Sequence, residues 1–166
     1  MKEKIIALYI RLSVEDRDLD ELKTASVSIQ NQKVHLRNFL MCHPETASGE
    51  IREFIDDGYT GTNMDRPAFQ EMMKLAREEQ ISCIVVKDFS RFGRNYLEVG
   101  NYLEQIFPLL GIRFISVDDG YDSKQNQGDV PGLDVVFKNI IHDYYSKELS
   151  VKEIQTKRNL SQKGLF

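Results

Sequence analysis

Lys4-Ile5-Ile6-Ala7-Leu8-Tyr9-Ile10-Arg11 is an apolar, β-branched run with no alternation into polar residues. That pattern belongs to a strand covered on both faces, as strands of a parallel sheet are. Working outward, Ser28 to Met41 carries apolar residues at Ile29, Val34, Leu36, Phe39 and Leu40, an imperfect helical period that ends before Pro44. Glu50 to Ile55 alternates and runs into the turn signal Asp57-Gly58, which predicts a second strand. Asp65-Arg66-Pro67 opens a helix, with Asp65 as its cap, Pro67 in its first turn, and Phe69, Met72, Met73 and Ala76 on its inner face. Ile81 to Lys87 reads as a third strand and Ile112 to Val117 as a fourth. Between them Tyr96 to Leu110 reads as a helix, with Pro108 a distortion near its end and Gly111 its stop.

Strands alternating with helices predict an α/β domain: a mainly parallel central sheet with helices on both faces, in three layers. Beyond a loop rich in Gly, Asp, Ser and Asn, apolar residues recur at 133, 136, 137, 140, 141, 144 and 145, which predicts a long C-terminal helix running towards Lys157. The expected organisation is a core over residues 1–130, followed by this helix and the start of a linker over 131–166.

A chain of 166 residues, 41% hydrophobic, suffices for one well-packed core. Cys42 and Cys83 stand far apart without metal-ligand spacing, and no apolar leader opens the chain, so reduced thiols in a cytoplasmic protein are expected. No apolar run approaches the roughly 20 residues that cross a bilayer. His35, His43 and His142 are scattered, and no glycine-rich phosphate loop calls for a nucleotide cofactor. The net charge of −4, from 22 basic and 26 acidic residues, excludes a surface that grips nucleic acid over its whole extent. Any basic site must be local.

Ligands of open α/β sheets bind beyond the carboxyl ends of the strands. The first strand ends in Tyr9-Ile10-Arg11-Leu12-Ser13, with Tyr9, Arg11 and Ser13 on one side by period-2 alternation. The second ends at Asp56-Asp57, and the third in Lys87-Asp88-Phe89-Ser90-Arg91-Phe92-Gly93-Arg94. These ends offer a hydroxyl, carboxylates and several cations to one crevice. Arginine suits a phosphoryl group because its planar fork donates bidentate bonds to phosphate oxygens and stays charged. A serine among arginines suggests attack on phosphorus, with fixed guanidinium groups stabilising the charge on the non-bridging oxygens and no metal or cofactor required.

Two other readings compete. Asp57, Asp88, Asp118, Asp119 and Asp122 are hard oxygen ligands near strand ends, as a metal-dependent phosphohydrolase or nuclease would need, although Asp118-Asp119-Gly120 also serves as a turn. A flavodoxin-like module without catalysis would use the same fold for assembly alone. Taken singly, a serine after a strand is an ordinary turn residue, and arginines at helix starts are ordinarily solvated or paired with acids such as Glu98.

Tyr-x-Arg-x-Ser at 9 to 13, Ser28-Ile29-Gln30-Asn31-Gln32, Asp57-Gly58-Tyr59-Thr60-Gly61-Thr62 with Asp65-Arg66-Pro67, and Ser90-Arg91-Phe92-Gly93-Arg94 occur in this order. Together they resemble the catalytic domain of the serine site-specific recombinases of the resolvase/invertase family, and most of all the large recombinases of mobile elements. The resemblance spans nearly the whole chain. It implies a resolvase-like fold, and strand cleavage and rejoining through a 5′-phosphoserine at Ser13. Arg11, Arg66, Arg91 and Arg94 match the family's active-site arginines; Tyr9, Gln32 and Asp57 match its supporting polar residues, with Ser90 and Lys87 beside them. Resolvases carry Asp where Ser90 stands, which leaves the acid that protonates the leaving oxygen unassigned; no general base is evident.

The resemblance further implies double-stranded recombination sites as the partner, a homodimer on each site and a tetramer in synapsis. Leu133, Val136, Phe137, Ile140 and Tyr144 are then subunit-interface candidates, although packing on the chain's own sheet explains part of that stripe equally well. Lys152, Lys157, Arg158 and Lys163 would face DNA phosphates. The family's C-terminal DNA-binding modules are expected to lie outside these 166 residues, which fits the acidic total.

Overall fold

The computed structural model describes residues 4–12, 21–46, 48–58 and 65–125, without the side chains of 21–26 and 96. These residues all fall within one unit, Met1–Gln127. Ser13 lies outside the described residues, as do the interface candidates Leu133, Val136, Phe137, Ile140 and Tyr144 and the DNA-contact candidates Lys152, Lys157, Arg158 and Lys163.

The described sheet has five strands, β1 (Ile5–Leu12), β2 (Glu50–Asp57), β3 (Ile81–Val86), β4 (Arg113–Ser116) and β5 (Tyr121–Asp122), in the order β2-β1-β3-β4-β5. The first four are parallel and β5 runs antiparallel to β4. Every residue of β1 is buried, as its unbroken apolar run predicts for a central strand. Because the chain leaves β1 to one side for β2 and returns on the other as β3, a crevice opens beyond the carboxyl ends of β1 and β3.

The helices are α1 (Glu21–Cys42), α2 (Pro67–Arg77), α3 (Phe89–Phe92), α4 (Tyr96–Asn101) and α5 (Phe107–Leu110). On one face of the sheet Ile6, Leu8 and Ile10 of β1 pack with Leu36 and Leu40 of α1. On the other, Tyr9 joins Phe69 of α2, Phe92 of α3, Tyr102, Phe107 and Phe114 in a run of aromatic contacts, several of them edge to face, with centroids 5.1–6.5 Å apart. The predicted inner face of α2, Phe69, Met72, Met73 and Ala76, is buried.

Several boundaries differ from the sequence expectation. Helix α1 begins seven residues before Ser28, in a polar stretch that gives no apolar period. Asp65 does not cap α2: Arg66 occupies that position in extended conformation without a side-chain cap bond. The single helix expected over 96–110 is α4, a π-helical turn over Tyr102–Ile106 and then α5; Gly111 ends it at φ 63° as expected. Strand β3 stops one residue short of Lys87, and β5 is a strand the turn-like sequence around Asp118-Asp119-Gly120 conceals. At Gly49 a Cβ would lie 2.1 Å from the Lys4 carbonyl oxygen, so the approach to β2 tolerates no side chain.

Candidate active site

Period-2 alternation sends Ala7, Tyr9 and Arg11 of β1 away from α1, and the last of these meets α3. Arg11 is fully buried; its Nη2 donates to the Ser90 carbonyl at 2.8 Å and its Nε to the Arg91 carbonyl at 3.3 Å. Arg91 Nη1 donates back to the Arg11 carbonyl at 3.2 Å, so the ends of β1 and α3 are cross-tied through both arginines. Burial, together with the charges of Arg94, Arg66 and Arg91, brings the Arg11 guanidinium down to about 10. Arg94 is half-buried on the bend after α3.

Arg66 is likewise fully buried. Its Nη2 donates to the Phe92 carbonyl at 2.6 Å, and its guanidinium lies over the rings of Phe69 and Tyr9, 4.9 and 5.3 Å from their centroids. Burial lowers its proton affinity, while Tyr9, Asp56, Tyr102 and Glu98 act in the opposite sense.

The carboxylate that organises this side of the site is Asp56. Tyr9 Oη donates to Asp56 Oδ2 at 2.8 Å, and the backbone N–H groups of Ala68 and Phe69 donate to Oδ1 and Oδ2 at 2.9 and 3.0 Å. Asp56 therefore caps α2 from a different strand, supplying the acceptor that Arg66 at the cap position does not. Asp57, the position singled out from the motif, is exposed at the end of β2. The signal for Asp56 was in the alternation: it shares the inward face of β2 with Phe54. Burial pushes the Tyr9 phenol up, and its contact with Asp56 adds to the rise.

Asp88 caps α3, accepting from the Arg91 N–H at 3.1 Å and from the Ser90 hydroxyl. Asp119 holds the same turn from outside: it accepts from the Phe89 N–H at 2.8 Å and from the Ser116 hydroxyl. Asp122 pairs with Arg113, and Asp118 lies 2.7 Å from His35 Nε2 and 3.9 Å from Lys87 Nζ. The five aspartates considered as metal ligands thus serve separate local bonds or stand exposed, and the described residues contain no group of three or more His, Cys, Asp and Glu able to hold a metal ion.

On the α1 side, Gln32 is buried and its Nε2 donates to the Arg11 carbonyl at 3.4 Å. Its Oε1 is a buried acceptor with no partner among the described residues. A crevice of about 440 Å³ opens here, lined by Leu12, Ser28, Asn31, Gln32, His35, Lys87 and Arg91. Tyr9, Arg11, Gln32, Arg66, Ser90, Arg91, Arg94 and Lys87 therefore gather at one sheet edge. The pairing of His35 with Asp118 went unread, since nothing in the sequence joins residues 83 positions apart.

Residues 6–164 match the family described as Resolvase, N terminal domain. The chain belongs to the resolvase family. This resolvase-family chain is 30% identical over 105 residues to the Transposon Tn917 resolvase of Enterococcus faecalis, a stretch covering 63% of this chain and 52% of the relative, so it spans about half of that protein's length. Among solved structures, the N-terminal catalytic domain of TP901-1 integrase superposes with a TM-score of 0.61 at 19% identity, covering 88% of this chain and 98% of that one. A resolvase family site-specific recombinase from Streptococcus pneumoniae gives 0.57 at 24% identity over 99% of this chain and 100% of the other. A serine recombinase from Sulfolobus solfataricus gives 0.52 at 22%, covering 91% and 88%. At these identities the likeness is one of fold, and it is the resolvase-like fold that the four ordered motifs imply.

Proposed function

We propose that this protein is the catalytic part of a site-specific DNA recombinase in which the Ser13 hydroxyl attacks a DNA phosphate. The observation that carries the reading is the assembly of Arg11, Arg66, Arg91 and Arg94 around the carboxyl end of β1, with Arg11 and Arg66 fully buried; burial, and then the charges of the other three, lower the proton affinity of Arg11. Like charges gathered in this way disfavour one another, and an anion brought among them relieves the cost. A phosphodiester approaching a pentacoordinate transition state is such an anion, and the arginines' fixed donors meet its non-bridging oxygens.

In the first step the Ser13 Oγ–phosphorus bond forms, the bond from phosphorus to the 3′-oxygen breaks, and the serine proton is lost while the leaving oxygen gains one. The product is a 5′-phosphoserine and a free 3′-hydroxyl. Attack by a 3′-hydroxyl reverses the step on a new partner strand, so the phosphodiester's energy is kept and no high-energy cofactor is consumed. Gln32 Oε1, buried and without a partner among the described residues, offers an acceptor beside the strand that leads to Ser13. The partners are double-stranded recombination sites and further copies of this chain, with Leu133, Val136, Phe137, Ile140 and Tyr144 towards the other subunit and Lys152, Lys157, Arg158 and Lys163 towards DNA. The Transposon Tn917 resolvase similarity supports a role in movement of a mobile element.

The test is incubation of the protein with recombination-site DNA in parallel reactions containing EDTA or Mg2+. A covalent protein–DNA adduct is expected from the parent and not from Ser13→Ala. Cleavage that requires metal and persists in the variant would instead establish a nuclease.

A further inference from the structure

The crevice on the α1 face is separate from the aromatic side of the arginine cluster, and Arg91 borders both. Its remaining polar lining comes from Ser28, Asn31, Gln32 and His35 of α1 and from Lys87 just beyond β3. The side chains of His35 and Lys87 both reach towards Asp118 of the β4–β5 turn, at 2.7 and 3.9 Å, and Asp118 does not itself line the crevice. The side chains of His35, Lys87 and Asp118 are 45%, 36% and 39% exposed, and ion pairs this open contribute little to the fold. The fold therefore holds a lysine ammonium, an imidazole and neutral hydrogen-bonding groups around a polar space, with Asp118 as the carboxylate partner of both Lys87 and His35 among the described residues.

We propose that this crevice is a second phosphate subsite, which takes the DNA backbone phosphodiester next to the one held by the arginine cluster. Lys87 supplies its charge, His35, Asn31 and Ser28 its hydrogen bonds, and Asp118 is the internal anion that the phosphate replaces. The assignment to a backbone phosphate rests on the reading of the arginine cluster as the seat of the scissile phosphate, since Arg91, shared by both, makes the two positions neighbours along one strand.

The experiment is an NMR titration of this chain at constant ionic strength with two probes, inorganic phosphate and the dinucleotide TpT, which carries a single phosphodiester. The signals followed are the His35 imidazole and the Asn31 side-chain amide, assigned with His35→Gln and Asn31→Ala. Both probes are expected to move both signals. Asp118→Asn should tighten binding about 2–5-fold by removing the competing anion, and Lys87→Ala should weaken it by at least as much. Silent His35 and Asn31 signals, or an Asp118→Asn variant that binds as the parent does, overturn the subsite. Movement with inorganic phosphate but not with TpT overturns the backbone assignment in favour of a free phosphate ligand. Adduct formation at Ser13 is scored separately, so a working serine with an inert crevice and an inert serine with a working crevice are distinct results.

Discussion

Replacing Asp56 by alanine tests whether this carboxylate, and not its neighbour Asp57, organises the site. The substitution removes the acceptor for the Tyr9 hydroxyl, which is left buried without a partner at a cost of about 1–3 kcal/mol. It also uncaps α2 by deleting the acceptor of the Ala68 and Phe69 N–H groups, worth about 0.5–2 kcal/mol. Loss of a negative charge near buried Arg66 acts in the same direction. Neighbouring effects are not strictly additive, and a total of about 2–5 kcal/mol is expected, a large share of the roughly 5–15 kcal/mol by which domains are stable. Urea denaturation followed by far-ultraviolet circular dichroism measures it: Asp56→Ala should lower the midpoint strongly with little change in slope. Asp57→Ala, at an exposed strand end, should cost less than about 1 kcal/mol. Equal effects of the two substitutions, or a loss below about 1 kcal/mol for Asp56→Ala, would refute the reasoning.

Other expectations follow from the same geometry. Cys83 is buried and its thiol is pushed up to about 12, whereas Cys42 is exposed, so a maleimide should label one thiol per native chain and two in urea, as counted by mass spectrometry. Burial pushes the Asp122 carboxyl up, but the bonds from Arg113 and the Lys124 N–H outweigh it and hold it below the usual range. Its stabilising contribution is therefore present above the ordinary carboxylate range, near pH 4, and is lost as pH falls through the lowered value. Asp122→Asn should cost about 1–3 kcal/mol at neutral pH, and the gap from the parent should close in acid, which urea melts across pH 3–7 would show. Arg91→Lys keeps the charge but loses the fork that bonds the Arg11 carbonyl, and should slow strand cleavage about 10²–10³-fold in single-turnover assays.

The architecture was legible because β1 and β3 are short, predominantly apolar, β-branched runs and α2 presents its buried residues at 69, 72, 73 and 76, signals that need no knowledge of distant partners. What escaped depends on such partners. Arg66 stands at the cap of α2 because Asp56 satisfies the helix from another strand, so the local rule that pointed to Asp65 had no force there. Strand β5 exists because two residues pair with β4, a length too short to give a period. Motif order names Asp57; the contact of Asp56 with Tyr9, which the motif does not announce, follows from the pleat of β2, with Phe54 and Asp56 inward. Arg11, Arg91 and Arg94 were visible from strand ends, Arg66 entered only with the family resemblance, and the cross-ties between Arg11 and Arg91, 80 residues apart, were not legible at all.

The central claim concerns one atom, Ser13 Oγ, and Ser90 is the rival serine within the same group of arginines, its hydroxyl donated to Asp88. The decisive measurement is tandem mass spectrometry of the proteolysed protein–DNA adduct formed in EDTA. A nucleotide remnant on the peptide containing Ser13, absent when Ser13 is alanine, is the predicted result; a remnant on Ser90 or on a tyrosine, or free 5′-phosphate ends without any adduct, would contradict it.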